Sequence, residues 1–311
     1  MSKSTNGSLI ADARPDNWVD RFAPAFMKPY LKLARFDRPI GAWLLLFPCW
    51  WGQGLAELQA GHEALNLWYL LLFAIGAFVM RGAGCTWNDI IDRDYDARVA
   101  RTALRPIPSG QVTARQAFLF AICLSLSGFL VLIQFNIFTI WLGIASLGLV
   151  AVYPFSKRFT YWPQIVLGLT FNWGALVGWA AIHGEFSLVS LLLYAGCVCW
   201  TIGYDTIYAH QDKEDDALLG LKSTALHFGA HTQYWLILFY GASIALWLAA
   251  ALIAGADPLL YLAIIFISGH FVWQIITLDT ENSGNCLARF KSNSTVGWLF
   301  FLGLLSDIVL R

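Results

Sequence analysis

A short acidic stretch carries residue types and spacings that could perform chemistry. It runs from Asn88 to Asp96 and reads Asn-Asp-Ile-Ile-Asp-Arg-Asp-Tyr-Asp. Asn88, Asp92 and Asp96 are spaced four residues apart, so a helix would place them on one face, with Asp89 close to it. Carboxylate and amide oxygens suit a hard cation, and Mg²⁺ usually binds a few of them together with phosphate groups of a substrate. The stretch therefore predicts a row of metal ligands.

A second acidic stretch ends at Asp216 and shows a related spacing. Asp205, Asp212 and Asp216 follow the pattern i, i+7, i+11, which again predicts one helical face. No Cys or His cluster accompanies either stretch, which argues against zinc. The alternative is a solvated loop, where runs of charge are common. Because ligand spacing occurs twice, we expect the two stretches to face each other across a pocket at a membrane surface and to hold metal ions on a diphosphate.

Basic residues near the two stretches could bind the anionic end of a substrate. Arginine makes bidentate contacts with phosphate or carboxylate oxygens, whereas lysine acts as a point charge. For each of these residues the alternative is a role in membrane topology alone. The candidates between the apolar runs are Arg101, Arg105, Lys157, Arg158, Lys213 and Lys222.

Arg81 differs from these residues because it lies within an apolar run. It precedes Asn88 by seven residues, which on a helix places both on the same face. A charged residue within a membrane span is costly and usually faces a cavity. We therefore expect Arg81 to line a pocket, and snorkelling of its side chain to the membrane surface is the alternative.

The elements that must position these residues are membrane helices. Of the 311 residues, 58% are hydrophobic and 13% are charged, whereas soluble domains carry about 25% charged residues. The apolar runs are continuous and do not alternate, which favours helices over barrel strands. We predict an all-α polytopic membrane protein with nine transmembrane helices around a central cavity that opens to the cytoplasmic side. The runs lie near 40–58, 66–85, 116–134, 136–153, 165–182, 187–204, 233–254, 258–278 and 295–310.

The basic residues predict the orientation of the chain. All Lys and Arg except Arg81 and Arg311 fall in the N-terminal segment or in the loops after the second, fourth, sixth and eighth runs. The positive-inside rule assigns that side to the cytoplasm. We predict that residues 1–38 form a cytoplasmic tail and an interfacial helix, because aromatic and basic residues alternate from Trp18 to Arg38. Residues 39–311 form the transmembrane domain.

Several segments of the chain resemble a known family. Asn-Asp-x-x-Asp-x-x-x-Asp at 88–96 with Arg-Pro-Ile-Pro-Ser-Gly at 105–110 resembles the first signature of the UbiA-type intramembrane prenyltransferases, and residues 204–216 resemble the second. The resemblance covers roughly residues 28–310. Further segments are similar to the branch that acts on 4-hydroxybenzoate in ubiquinone biosynthesis, namely 35–41, 80–86, 153–158, 161–164, 167–174 and 220–225.

The resemblance implies Mg²⁺-dependent transfer of a polyprenyl chain from polyprenyl diphosphate to the ring carbon beside the hydroxyl of 4-hydroxybenzoate. The products are 3-polyprenyl-4-hydroxybenzoate and diphosphate. The expected partners are these two substrates and the lipid bilayer, with no nucleic acid. The expected location is a bacterial or mitochondrial inner membrane, with the N-terminus and the active-site loops on the cytoplasmic or matrix side.

The resemblance also implies roles for particular residues. Ligands for Mg²⁺ would be Asn88, Asp92 and Asp96 for one ion and Asp205, Asp212 and Asp216 for the other. The four essential carboxylates would be Asp92, Asp96, Asp212 and Asp216. Diphosphate would contact Arg105, Lys157 and Lys213. Arg158 would bind the carboxylate of 4-hydroxybenzoate, and Asn172 would form part of the pocket wall. Arg81, Asn88 and Asp205 complete the predicted substrate-binding set.

Two other functions compete with this one. Another branch of the family, such as the haem farnesyl or the quinone and chlorophyll prenyltransferases, would use a different acceptor. A cation- or proton-coupled transporter normally places its ionisable groups near mid-membrane, between discontinuous helices. Here the acidic stretches follow the cytoplasmic ends of the second and sixth runs, which favours chemistry at the membrane surface.

Overall fold

The computed structural model describes residues 17–99 and 102–310. Part of the predicted tail, together with Arg101 and Arg311, lies outside this range. The described residues form α-helices and short connections and contain no β-strand. The sixteen α-helices are α1 Trp18–Phe22, α2 Lys28–Leu33, α3 Ile40–Gln59, α4 Leu67–Asp96, α5 Ala114–Leu132, α6 Ile137–Val152, α7 Ser156–Phe159, α8 Pro163–Phe171, α9 Trp173–His183, α10 Leu188–Ala209, α11 Lys213–Leu218, α12 Thr224–Phe228, α13 Thr232–Ala254, α14 Pro258–Ile276, α15 Ser283–Lys291 and α16 Asn293–Val309.

The chain is an integral membrane protein of the all-α class. By length and composition, eight helical segments among the described residues can cross a membrane. They are Leu67–Asp96, Ala114–Leu132, Ile137–Phe159, Pro163–His183, Leu188–Ala209, Thr224–Ala254, Pro258–Ile276 and Ser283–Val309. These eight match the second to ninth predicted spans. The first predicted span is helix α3, whose Trp, Gly, Gln and Pro residues lower its mean hydropathy, so the count of nine stays a prediction.

The chain folds into two compact units, each built from separate parts of the sequence. The first unit contains residues up to Gly41 together with Phe78–Phe129, and the second contains Ala42–Ala77 and Leu130–Arg311. Helices α3, α4 and α5 each continue from one unit into the other. The predicted boundary after residue 38 stays a prediction.

The first unit packs the end of α2 against the second half of α4 and the start of α5. Its core contains Leu33, Ile90, Val112 and Ala117, with Tyr30, Ile107 and Phe120 packed around them. Gly82 of α4 lies against Ala34, at the end of α2, and a Cβ on Gly82 would come 2.9 Å from the Cβ of Ala34. This close approach fixes the end of α2 beside the helix that carries the first acidic stretch.

The second unit has an aromatic core. Trp51 of α3 is fully buried, and its ring lies 5.3 Å from that of Trp200 and 5.2 Å from that of Trp247, between centroids. Phe300 closes the group at 4.4 Å from Trp51. Two of the indole nitrogens are hydrogen-bonded, because Trp200 donates to Asn293 Oδ1 and Trp51 donates to the Gly297 carbonyl. Such rings bury a large apolar area, and a buried indole N–H usually finds a hydrogen-bond acceptor, as those of Trp51 and Trp200 do.

Helices α3 and α9 of the second unit meet backbone to backbone. A Cβ on Gly178 would overlap the carbonyl oxygen of Cys49, and a Cβ on Gly52 would overlap that of Ala175. Gly174 lies one turn before Gly178 and packs against the Cys49 side chain. Small residues spaced by four are typical of closely packed membrane helices. This contact positions the buried helix α3 within the unit.

Candidate functional site

The first acidic stretch forms the last two turns of α4, as its spacing predicts. Asn88 and Asp92 share a helical face, because Asn88 Nδ2 donates to Asp92 Oδ2 over 3.2 Å. Asp92 is buried and Asn88 is half-buried, whereas Asp94, which is off the predicted ligand face, is exposed. The helix therefore presents a pair of oxygen donors one turn apart.

Arg105 lies against the same stretch and joins two of its carboxylates. Its Nη1 lies 2.7 Å from Asp96 Oδ2 and 3.3 Å from Asp89 Oδ1. Asp96, a predicted metal ligand, is thus paired with a residue predicted to contact diphosphate. The Nε of Arg105 is buried and has no hydrogen-bond partner among the described residues. The guanidinium is therefore held by carboxylates at Nη1 and has a buried N–H group, at Nε, that no described residue accepts.

Arg35 was not predicted as a site residue, yet it binds the acidic stretch. Its Nη2 lies 2.6 Å from Asp89 Oδ1, and the Asp89 side chain is fully buried. Burial alone would lower the pKa of Arg35, but the Asp89 carboxylate raises it, so the guanidinium stays charged. The segment 35–41 was noted for its resemblance to the family, but its partner lies 54 residues away and no local pattern connects them.

Arg81 lies in α4 and packs against the start of α3. A Cβ on Gly41 would come 2.7 Å from both Nε and Nη2 of Arg81, so glycine leaves the space that the guanidinium occupies. The side chain is half-buried. That Arg81 lines a pocket and contacts substrate stays a prediction.

The second acidic stretch does not form one helix, so the continuous helix assumed for Asp205, Asp212 and Asp216 is wrong, and their convergence on one ligand face stays a prediction. Helix α10 ends at Ala209 and α11 begins at Lys213, with Asp212 at its N-cap. The N–H groups of residues 210, 211 and 212 each bond to the carbonyl three residues earlier, at 3.3, 3.1 and 3.1 Å. These bonds tighten the chain into a turn and end the α-helix. Asp212 and Asp216 stay one turn apart, since the Asp216 N–H donates to the Asp212 carbonyl over 2.8 Å.

Two side chains near this turn have partners of their own. Lys213 Nζ lies 2.6 Å from Oε1 of Glu281, in the loop between α14 and α15. His210 shares a 3.0 Å hydrogen bond between its Nε2 and Thr232 Oγ1. Burial and the nearby Lys213 lower the pKa of His210 to about 4, so its ring is neutral at pH 7.

The remaining predicted residues of the second unit lie on α7 and at the junction of α8 and α9. The Lys157 carbonyl accepts the N–H of Lys222 over 2.9 Å, and the exposed guanidinium of Arg158 lies 5.2 Å from the centroid of the Phe155 ring. Asn172 is fully buried and donates from Nδ2 to the Gly168 carbonyl at 2.8 Å and to Thr201 Oγ1 at 2.7 Å. The amide of Asn172 therefore ties the break between α8 and α9 to α10.

The Asn and Asp side chains of the two acidic stretches suit a Mg²⁺ ion that is also bound by a phosphate group of the substrate. Among residues 17–99 and 102–310, no three His, Cys, Asp or Glu side chains are grouped as a metal cage. The oxygen donors come as helical pairs, Asn88 with Asp92 and Asp212 with Asp216. Mg²⁺ is usually held by one or two carboxylates together with substrate phosphates rather than by an all-protein cage. Each pair therefore suits a metal ion that arrives with a diphosphate.

Comparison with known proteins gives relatives that share most of this chain. A mitochondrial 4-hydroxybenzoate polyprenyltransferase from Aedes aegypti is 50% identical over 296 residues, which is 95% of this chain and 66% of the relative. Proteins of the same name from Caenorhabditis elegans and Rattus norvegicus are 43% and 49% identical, over 99% and 91% of this chain and 83% and 75% of their own lengths.

The fold and the family profile agree with these relatives. The structure of a UbiA homolog from Aeropyrum pernix K1 is similar with a TM-score of 0.73 and 25% identity, over 85% of this chain and 97% of that one. A UbiA homolog from Archaeoglobus fulgidus, solved bound to GPP and Mg²⁺, has a TM-score of 0.64 at 19% identity, over 91% of this chain and 100% of that one. The profile of the UbiA prenyltransferase family matches residues 45–305, which include both acidic stretches. This chain therefore belongs to the UbiA prenyltransferase family.

Proposed function

We propose that this protein transfers a polyprenyl chain from polyprenyl diphosphate to 4-hydroxybenzoate. The bond forms at the ring carbon beside the hydroxyl and gives 3-polyprenyl-4-hydroxybenzoate and diphosphate, a step of ubiquinone biosynthesis. The observation that carries this proposal is 43–50% identity to 4-hydroxybenzoate polyprenyltransferases over more than nine-tenths of this chain. The hard oxygen donors and arginines on α4 and after it agree with a diphosphate substrate.

The first acidic stretch and its arginine bind the donor. Asn88 and Asp92 supply a pair of oxygens for Mg²⁺, which neutralises the negative charge of diphosphate when it is bound. Arg105 donates to the departing group with the edge of its guanidinium that no carboxylate holds. The bond from the prenyl carbon to oxygen breaks, a bond to the aromatic ring carbon forms, and that carbon then loses its proton. Asp96 orients Arg105 through their 2.7 Å contact.

Residues of the second unit have matching roles. Asp205, Asp212 and Asp216 supply further oxygens for Mg²⁺, with Asp212 and Asp216 acting as a pair on α11. Lys157 and Lys213 bind diphosphate as point charges, and Lys213 must leave Glu281 to do so. Arg158, whose guanidinium lies over the Phe155 ring, holds the carboxylate of the acceptor. Asn172 fixes the junction of α8 and α9 in the pocket wall, and Arg81 lines the pocket from α4.

The lipid substrate and the helices place this reaction in a membrane. The polyprenyl tail is as apolar as the bilayer core. The protein therefore takes polyprenyl diphosphate from the membrane and releases the prenylated product into it. The basic loops and the N-terminus lie on the cytoplasmic side of a bacterial inner membrane, or on the matrix side of a mitochondrial one.

The proposal is tested by incubating membranes that contain the protein with Mg²⁺, labelled 4-hydroxybenzoate and prenyl diphosphates of several lengths. Labelled prenylated acid should form and should vanish when a chelator removes Mg²⁺. A parallel series with other aromatic acceptors and with haem separates the branches of the family. Product from one of those acceptors, with none from 4-hydroxybenzoate, would assign the chain to another branch.

A further inference from the structure

Arg35 has a backbone conformation that side chains rarely adopt. Its φ is 60°, and it is the one non-glycine residue with positive φ in the described part of the chain. The Phe36 N–H donates to the Leu31 carbonyl over 3.0 Å and the Arg35 N–H donates to the Lys32 carbonyl over 3.2 Å. Together these bonds form a Schellman motif, in which glycine usually takes the left-handed position. A side chain there costs about 1 kcal/mol.

The guanidinium of Arg35 is used in two directions. Its Nη1 donates to the Lys32 carbonyl over 3.0 Å and satisfies the end of α2. Its Nη2 donates to Asp89 Oδ1 over 2.6 Å and reaches the acidic stretch. Only 11% of the Arg35 side chain is exposed, so this pair is shielded from water and from salt. Glycine would suit the turn but would remove both bonds.

Two arginines share one carboxylate oxygen in this network. Asp89 Oδ1 accepts from Arg35 at 2.6 Å and from Arg105 at 3.3 Å, while Arg105 lies closer to Asp96, at 2.7 Å. The shorter distance shows that Arg35 is the main counter-charge of Asp89. Without Arg35, the buried Asp89 carboxylate would keep Arg105 as its salt-bridge partner among the described residues. An uncompensated buried carboxylate is strongly unfavourable, so Arg105 would be drawn toward it.

We propose that Arg35 is a positioning residue for the diphosphate of the prenyl donor: it neutralises Asp89 and thereby keeps Arg105 at Asp96 with a donor edge directed to the substrate. This inference rests on the proposed function, since it assumes that Arg105 binds diphosphate. Arg35 acts through Asp89 and does not touch the reacting atoms. The effect of Arg35 on the affinity for diphosphate must therefore depend on the charge of Asp89.

The test is a double-mutant cycle read by binding rather than turnover. Full-length Arg35→Gly, Asp89→Asn and the double variant are purified in detergent, and the Kd of geranyl thiolodiphosphate is measured with Mg²⁺ present. Arg35→Gly keeps the left-handed turn and should raise the Kd about tenfold, as expected for coupled neighbours in one ionic network. In the Asp89→Asn protein the same change should alter the Kd by less than about twofold. Arg35→Lys keeps a charge near Asp89 and should stay within about threefold of the wild type.

Arg93→Ala is the matched control, because it removes an arginine from the same stretch whose partner Asp94 is solvent-exposed. It should bind like the wild type. Wild-type affinity in Arg35→Gly, or an equal loss with and without the Asp89 charge, would overturn the inference. If Arg35→Gly alone does not fold, a double variant that binds tenfold more weakly than Asp89→Asn would overturn it as well. If the wild-type protein binds the analogue but does not transfer a prenyl group from a prenyl diphosphate to 4-hydroxybenzoate, that result would instead contradict the proposed acceptor.

Discussion

At the scale of single residues, Asp92 and Asp94 provide a direct comparison of two carboxylates on one helix. Asp92 is buried and accepts a hydrogen bond from Asn88, whereas Asp94 is exposed beside Arg93. They are the same residue type but project from different faces of α4. The proposed function assigns the metal-bound diphosphate to the face of Asp92 and not to that of Asp94.

Asp92→Ala should therefore strongly impair prenyl transfer. It removes one of the two side chains, Asn88 and Asp92, that supply oxygens to Mg²⁺, and the charge on diphosphate is then less well neutralised. We expect a fall of about a hundred- to a thousandfold in kcat/KM, the range seen when an essential electrostatic group is removed. The assay measures prenylation of labelled 4-hydroxybenzoate in membranes, and thermal unfolding in detergent checks that the variant is folded. Asp94→Ala is the control and should keep nearly full activity. Near-normal turnover in Asp92→Ala would remove the metal role of this pair.

Arg158 permits a test of which substrate each basic residue binds. Its guanidinium is exposed and lies 5.2 Å from the centroid of the Phe155 ring. We expect Arg158→Ala to raise the KM for 4-hydroxybenzoate about tenfold and to leave the KM for the prenyl donor within about twofold, as for loss of one charged hydrogen bond. Arg289→Ala is the control, since Arg289 also lies over a ring, that of Trp273. A larger effect on the prenyl donor would reassign Arg158 to diphosphate.

At the scale of helices, the contact between α3 and α9 should be the most sensitive to added atoms. A methyl group on Gly178 would overlap the Cys49 carbonyl oxygen, so one of the helices must shift. We expect Gly178→Ala to lower the free energy of unfolding by about 1–3 kcal/mol, the usual effect of overpacking. Thermal unfolding in detergent measures it. Gly241→Ala on α13 is the control, because nothing lies within 4 Å of its added methyl, and it should be neutral or stabilising. Equal stability of the two variants would contradict the contact.

The start of α14 depends on a carboxylate from α16. Asp307 is buried and accepts the N–H groups of Asp257, Leu259 and Leu260 at 2.9, 3.0 and 3.3 Å. Asp307→Ala leaves these donors without an acceptor and should destabilise the protein by about 1–3 kcal/mol. The melting temperature should fall while the KM values of both substrates stay unchanged. Ser306→Ala, at the neighbouring exposed hydroxyl, should alter neither. A changed KM in Asp307→Ala would show that this cap also shapes the substrate site.

Helices were predictable from the sequence where an apolar run or a regular spacing of residues continued without interruption. The apolar run before Asn88 continues into residues spaced by four, so the helical face of the first stretch followed from sequence. The second stretch has the same type of spacing, but no Gly or Pro between 204 and 216 marks the turn at His210. Three successive hydrogen bonds to the third residue back end α10 there, and such local geometry is decided by tertiary packing. Arg35 and the glycines of α9 were missed for a related reason, since their partners are distant in sequence.

At the scale of the whole molecule, the orientation in the membrane is a prediction from charge, and the number of spans depends on α3. In the part of the chain that the structure describes, eight segments qualify by length and composition. Helix α3 is not among them, and it contains buried Trp51 and the buried polar residues Gln53 and Glu57. Its burial within the second unit explains how a helix of modest hydropathy is accommodated. Nine spans and the facing of the two acidic stretches stay predictions.

Labelling of single cysteines can decide the topology. With the native cysteines replaced, Glu63→Cys lies in the loop after α3 and Gln111→Cys in the loop after α4, both exposed. If α3 crosses the membrane, a membrane-impermeant reagent should label the two positions from opposite sides, with Gln111→Cys reached from the cytoplasmic side. Labelling of both from the same side would mean that the chain does not cross between them. Gly220→Cys, in another basic loop, should behave like Gln111→Cys.

The backbone contact of α3 with α9 has a consequence for how this sequence can change. The spacing of most helix pairs depends on the volumes of the side chains between them, so a new residue on one helix requires adjustment on the other. Here the spacing is fixed by main-chain atoms that every sequence possesses. The residues of both helices that face away from the crossing can therefore change in size and shape during evolution, provided that Gly52, Gly174 and Gly178 remain. The aromatic core beside the crossing would keep its position through such changes.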